Sequence, residues 1–245
     1  MSHASDTRRS SCIARNLPSG RVQPLPSTTT TTTTDVSGDP GSDCPLCPRL
    51  AAFRADWRQR EPSWFNAPVD SFGPRDARLL IIGLAPGLRG ANRTGRPFTG
   101  DYAGDLLYET LQQFGFARGN YLARPDDGLS LIDARITNAV RCVPPENKPS
   151  PAEIKLCRTF LSPTIAGMPN LRVLVTLGRI AHESTVAVLD QRRAAAPFAH
   201  GAEHAIGRLR LFASYHCSRY NTNTGVLTPE MFRAVFARVR AYLDG

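Results

Sequence analysis

The chain has 245 residues, 41% of them apolar and 21% charged, and carries a formal net charge of +9. That length suffices for one domain with a sizeable core, while its apolar runs fall far short of the ~18 residues that a spanning helix needs. The N-terminus also lacks the apolar stretch of ~7–15 residues typical of a secretory signal, so we expect a cytoplasmic protein with no membrane partner.

The charge is unevenly placed. Residues 1–43 hold Arg8, Arg9, Arg15 and Arg21 against Asp6, Asp35, Asp39 and Asp43, so the excess belongs to residues 44–245. Lys148 and Lys155 are the only lysines. Every other basic residue is Arg, whose planar guanidinium fork matches phosphate oxygens. An Arg-rich domain points to a nucleic-acid partner.

Taken in chain order, residues 1–43 contain few large apolar side chains and an unbroken threonine run over 28–34. Such a segment buries too little to offset its ordering entropy, so it is expected to be a disordered tail. Residues 49–60 have helical spacing, with Leu50, Phe53 and Trp57 on one face. "ARLLIIGLA" (77–85) reads as a buried strand, and residues 104–116 as a helix aligning Leu107, Leu111 and Phe114. Residues 134–142 read as a short strand. Ser150, Pro151 and Glu153 form a capping-box start for a helix over 150–167. Residues 171–178 make a third strand, followed by a helix from Arg179. Residues 207–216 make a fourth, and residues 228–243 a closing amphipathic helix. Strands alternating with helices predict a three-layer α/β/α sandwich around a mostly parallel four-stranded sheet.

Ligands of such sheets bind beyond the carboxyl ends of the strands. Three stretches follow strand ends directly: residues 83–101, 138–145 and 216–225. The first, "GLAPGLRGANRTGRPFTGD", is rich in Gly and Pro and carries Phe98, an aromatic able to stack on a base. The second opens on Asn138, whose amide offers a donor and an acceptor side by side. The third opens on His216, the one histidine at a predicted strand end, where an imidazole can donate to a developing anion. These loops should converge on one site.

Cys44-Pro-Leu-Cys47 and the pair Cys142 and Cys157 can together close a metal site. Zinc, an iron–sulfur cluster and disulfides compete. Without an export signal, disulfides are disfavoured, and the long second spacing fits a bulky cluster better than zinc.

The quoted loop, "TNAVRC", "HCSRYNTNTG" and the order of the four cysteines resemble the iron–sulfur uracil-DNA glycosylases, family five above all, over residues 44–243. The resemblance implies an α/β/α sandwich and a [4Fe–4S] cluster on Cys44, Cys47, Cys142 and Cys157. It implies a monomeric, monofunctional enzyme of bacterial, nucleoid-associated type that removes uracil from DNA, and with it other damaged bases such as hypoxanthine, xanthine and ethenocytosine. Carried over by position, Phe98 stacks on the flipped base, Asn138 reads its Watson–Crick edge, and His216 stabilises the leaving anion. Backbone at Gly83, Leu84 and Ala85 lines the pocket, and Arg219 wedges the stack or grips a phosphate. Relatives carry an acid at the positions of Leu84 or Ala85. Both are apolar here, which leaves Asp101 and Asn92 as candidates for positioning water. The alternative is a non-catalytic or covalently trapping uracil-DNA binder on the same fold. DNA-trapping relatives carry a basic, His-containing insertion after the first motif, and this chain lacks it.

Overall fold

The computed structural model describes residues 38–245. Helix α1 (Pro48–Arg60) precedes strand β1 (Leu79–Gly83), the short α2 (Ala91–Thr94) and α3 (Tyr102–Gln113). A small antiparallel pair, β2 (Ala117–Arg118) and β3 (Ser130–Leu131), leads to β4 (Ala134–Asn138). Then come α4 (Pro151–Ala166), β5 (Val173–Leu177), α5 (Arg179–Val188), β6 (Glu203–Ile206), β7 (Leu209–Ser214), α6 (Arg219–Asn223) and α7 (Pro229–Asp244).

The sheet has five strands in the order β4-β1-β5-β7-β6, not the expected four. Four run parallel, and β6 closes the β7 edge antiparallel. β6 escaped the sequence reading because it is a half-exposed edge strand, without the continuous apolar run that marks strands covered on both faces. Alternate residues of the buried strands feed two cores. Leu79, Ile81, Val173, Val175 and Phe212 face one layer, where Leu107 and Leu111 of α3 meet Phe232 and Phe236 of α7. Leu80, Ile82, Leu174 and Leu211 face the other, with Leu161 of α4 and Ala181 and Val186 of α5. The expected three layers are present.

Ser150 caps α4 as its sequence requires: its hydroxyl accepts from the Glu153 amide, and the Glu153 carboxylate accepts from the Ser150 amide. The tail expected over residues 1–43 lies outside the described residues up to 37. Residues 38–43 are within them, and they begin as part of the folded body. Asp39 pairs with Arg141 and accepts from the Ser71 hydroxyl (2.8 Å) and amide (3.1 Å). Arg141 is completely buried, and a buried guanidinium needs a carboxylate. That need draws the chain ahead of Cys44 onto the fold.

Candidate active site and cysteine cluster

The three strand-end loops meet as expected. Gly83 pairs in register with Asn138, and beyond the strands the amides of Ala139 and Val140 donate to the carbonyls of Gly83 and Leu84, both at 2.9 Å. The first two loops are thus zipped together. His216 arrives from β7 and packs beside Gly178 at the end of β5. A cavity of about 610 Å3 opens between them, lined by Leu84, Ala85, Phe98, Asp101, Asn138 and His216. Gly83 cannot be another residue: a Cβ there would lie 2.5 Å from both Asn138 Oδ1 and the Phe98 ring.

Phe98 is buried and held at φ 52°, a left-handed conformation that a bulky residue rarely adopts. The surroundings enforce it. Tyr108 donates to the Pro97 carbonyl (2.7 Å) and Tyr121 to the Phe98 carbonyl (3.1 Å). Arg96 makes a two-pronged buried pair with Asp127 (2.8 and 2.7 Å) and donates to Thr99 Oγ1. Its guanidinium lies over the rings of Phe72, Tyr108 and Tyr121. The Arg96 guanidinium holds the Asp127 carboxyl far below the usual carboxylate range. The sequence offered no sign of this pedestal, because its members are distant along the chain.

His216 lies against Phe98 with the rings nearly parallel. Burial pushes its pKa down to about 4, so the imidazole is neutral near pH 7 and can donate without carrying charge. The Asn221 side chain donates to the His216 carbonyl (2.8 Å), and Ser218 caps α6, so this loop is fixed at both ends.

Asp101 precedes α3 and lines the cavity. Its Oδ2 packs against Gly87 and Gly90, where a Cβ would collide with it, and its Oδ1 is buried without a protein partner. Burial raises its pKa, opposed by the amides of Gly104 and Ala103. The other candidate for the water, Asn92, belongs elsewhere. Its side chain is fully buried and donates to Asn66 Oδ1 (2.8 Å), tying the loop to the end of α1. It does not line the cavity. Its position in the sequence gave no hint of side-chain direction.

At the rim, the exposed Arg219 lies over the Tyr102 ring (5.3 Å). Sequence reasoning missed three neighbours. Arg89 and Asn147 also line the mouth, and Tyr220, next to Arg219, is 74% exposed.

Cys44, Cys47, Cys142 and Cys157 surround a second void, walled by Leu50, Val140 and Phe160. Burial pushes the Cys142 thiol up to about 12 and Cys157 to about 11. A buried guanidinium is aimed at them. Arg54 donates to Cys142 Sγ (3.1 Å) and to the Cys44 carbonyl, and its buried Nε has no partner. The Arg141 amide donates to Cys157 Sγ (3.2 Å). This explains why α1 buries Leu50 and Arg54 most deeply, where a face of Leu50, Phe53 and Trp57 was expected. A charged residue at that position reads as solvent-facing unless thiolates lie opposite. Apolar walls, four sulfurs and N–H donors to sulfur fit an iron–sulfur cluster.

Comparison with known proteins agrees with this geometry. The uracil DNA glycosylase superfamily pattern matches residues 70–240. A type-5 uracil-DNA glycosylase of Thermus thermophilus is 46% identical over 204 residues, covering 80% of this chain and 92% of that protein. A type-5 enzyme of Pyrobaculum aerophilum is 36% identical over 203 residues, covering 81% and 88%. A type-4 uracil-DNA glycosylase of the same organism is 34% identical over 125 residues, covering only 51% and 56%. The chain therefore belongs to the uracil-DNA glycosylase superfamily and, within it, to the type-5 enzymes.

Proposed function

We propose that the 610 Å3 cavity is the base pocket of this uracil-DNA glycosylase, and that Phe98, Asn138, His216 and Asp101 carry out the excision. The observation that carries the assignment is a pair of orphaned acceptors. Asn138 Oδ1 and Asp101 Oδ1 are buried at the cavity and lack protein partners. Leaving such groups unpaired is costly unless a ligand or water completes them.

A base inside a duplex is out of reach, so it must be flipped into the pocket at a cost of about a few kcal/mol. Stacking on Phe98 returns about 1–3 kcal/mol. Asn138 Oδ1 accepts from uracil N3–H, and its amide donates to the neighbouring carbonyl. The C1′–N1 bond then breaks, and its electron pair leaves on the base. The neutral His216 N–H donates to the oxygen on which that charge settles, and the carboxylate of Asp101 faces the cationic sugar. Water held by Asp101 adds to C1′ as its proton passes to the Asp101 carboxylate, and that proton then returns through solvent to the uracil anion. The products are free uracil and an abasic site. Leu84 and Ala85 put no charge beside the base, which favours a wider range that includes hypoxanthine, xanthine and ethenocytosine. Arg89, Arg219 and Tyr220 meet the DNA backbone.

Cys44, Cys47, Cys142 and Cys157 are the ligands of a [4Fe–4S] cluster in this reading. Through these four ligands the start of α1, the chain after β4 and α4 would be tied into one unit. The enzyme acts as a monomer on chromosomal DNA in the cytoplasm. A labelled duplex with a single uracil, incubated with the protein and then treated with alkali, tests the site. Wild type should give cleavage at the uracil, with His216→Ala and Asp101→Asn strongly impaired. Full activity in both variants would remove the pocket assignment.

A further inference from the structure

The connection between Cys142 and Cys157 reaches the mouth of the base pocket. Asn147 lines the cavity, two residues beyond the second strand-end loop and far along the β4–α4 connection from Asn138. It ends a single 3-10 turn, Pro145–Asn147, in which Glu146 (φ 53°) and Asn147 (φ 57°) both adopt left-handed backbone. Asn tolerates that conformation better than most residues, Glu does not. The turn is held from outside. Arg49, two residues after Cys47 on α1, donates to the Lys148 carbonyl (3.0 Å) and grips Glu153 with two bonds (2.8 and 2.7 Å). Glu153 in turn closes the capping box on Ser150. The loop is thus fixed at its base by the cysteine site and on its far side by Arg49.

What this scaffold presents is one exposed amide. The Asn147 side chain points to no protein partner, and its neighbours around the mouth are Arg89, Ser218 and Arg219, side chains suited to phosphate. The base-reading groups, Phe98 and Asn138, are buried deeper. We propose that Asn147 is a DNA-contacting residue whose amide donates to a backbone phosphate beside the flipped nucleotide, and that Arg49 is the positioning residue that holds it there. The inference rests on the cavity being the base pocket.

Asn147→Gly is the clean variant, because glycine keeps the left-handed backbone without strain and removes only the amide. Binding is measured by anisotropy on a duplex carrying a 2′-fluorinated deoxyuridine, whose fluorine disfavours the sugar cation and so blocks cleavage. Loss of one hydrogen bond from the neutral amide to a charged phosphate should weaken Kd about tenfold or more, with the single-turnover rate at saturating enzyme within about twofold of wild type. The dependence of Kd on salt should not change, since no charge is removed, whereas Arg219→Ala should lower that slope by about one. Asn147→Asp should bind more weakly still, because a carboxylate repels phosphate. Arg49→Gln should shift Kd the same way with the thermal midpoint and visible absorbance retained. Wild-type Kd in both Asn147 variants overturns the proposal. So does an Asn147→Gly variant that alters preference between uracil and other bases while Kd stands, which would make Asn147 a base reader. Asn138→Ala and His216→Ala test the pocket separately: if they fail to reduce base release, the pocket reading falls, whatever Asn147 does.

Discussion

The rings of Phe98 and His216 lie 26° from parallel with centroids 5.8 Å apart. A base sandwiched between two rings needs about 7 Å, two contacts of about 3.5 Å. The two side chains therefore form one wall, and in the proposed reading a base stacks on Phe98 with His216 at its edge. That geometry sets the protonation of His216. Pressed against an aromatic ring and desolvated by the surrounding protein, the imidazole has its pKa lowered to about 4.

The sign of the pH dependence follows. A His216 that works as a neutral donor is already neutral throughout the range above pH 5, so kcat/KM, which reports the free enzyme, should show no inflection near 6.5. In the proposed role Asp101 acts as a carboxylate, and burial raises its pKa above the usual 3.8. Activity should fall as pH drops through that raised value, and Asp101→Asn should abolish this limb. A pH profile of uracil release from duplex DNA decides; a limb near 6.5 that vanishes in His216→Gln would reverse the role given to the imidazole. Stability moves in the same direction. Between pH 6.5 and about 4 the unfolded chain binds a proton that His216 in the fold excludes, so the protein loses stability as pH falls across that window.

Asp101 and Asn92 separate by substitution. Asp101→Asn should lower the single-turnover rate by about 10²–10⁴-fold, the usual range for a positioned acid or base. Asn92→Ala should leave the rate per folded molecule near wild type. It should cost about 1–3 kcal/mol of stability instead, because Asn66 Oδ1 is left buried without its donor. A thermal melt beside the kinetic measurement reads both. A rate loss in Asn92→Ala at unchanged stability would return Asn92 to the chemistry.

Much of this site was legible in the sequence, and what was not has a common cause. The parallel strands announce themselves as continuous apolar runs, and a strand end followed by Gly and Pro marks a ligand loop wherever the strand sits in the sheet. Phe98, Asn138 and His216 could be brought to one cavity that way because their placement at strand ends depends on topology alone. Asn92 could not be excluded, because which way a loop side chain turns depends on a partner, Asn66, from another element. Arg54 and Asn147 are contacts of tertiary structure only. Arg54 looks like a surface charge until four cysteines lie against it, and Asn147 looks like part of a linker until the chain between Cys142 and Cys157 folds back to the pocket. β6 failed for the opposite reason, since an exposed edge strand carries too little apolar pattern to register.

The pedestal beneath Phe98 should be sensitive to loss of one partner. Asp127→Ala leaves the Arg96 guanidinium buried without its carboxylate and frees the Leu122 and Leu129 amides. Removing one member of a buried pair costs about 3–5 kcal/mol. Chemical denaturation should show that loss, together with weaker binding of flipped base, because Phe98 then relaxes from its left-handed backbone. A variant with unchanged stability would mean that the pair is not what holds the loop.

The cysteine assignment makes a chemical prediction. Protein purified without oxygen should be brown and contain iron and acid-labile sulfide in matching amounts, about four of each per chain, as expected of a thiolate-held [4Fe–4S] group. Cys142→Ala and Cys157→Ala should lose both. Arg54→Met should retain the cysteines yet lose iron faster on exposure to air, because the guanidinium that donates to Cys142 Sγ is gone. A colourless wild-type protein carrying one zinc would refute the cluster and leave the fold assignment intact.

The apolar pair Leu84 and Ala85 makes the last prediction, on base range. A carboxylate beside the leaving base would favour bases that present a donor to it and repel those that lose their proton easily. Here that wall is a leucine and an alanine, and the cavity of about 610 Å3 lies well within the range of about 300–1,000 Å3 of small-molecule sites. In the proposed reading discrimination is left to Asn138, whose acceptor would pair with the N–H that uracil, hypoxanthine and xanthine all carry on their Watson–Crick edge. Base-release rates on otherwise identical duplexes should fall within about tenfold of one another for these three, a spread of about 1.4 kcal/mol. Ala85→Asp should narrow the range by slowing xanthine, the most acidic of them, more than uracil. If wild type releases uracil alone, the empty acidic position does not set specificity, and the selection must lie in the shape of the wall made by Phe98 and His216.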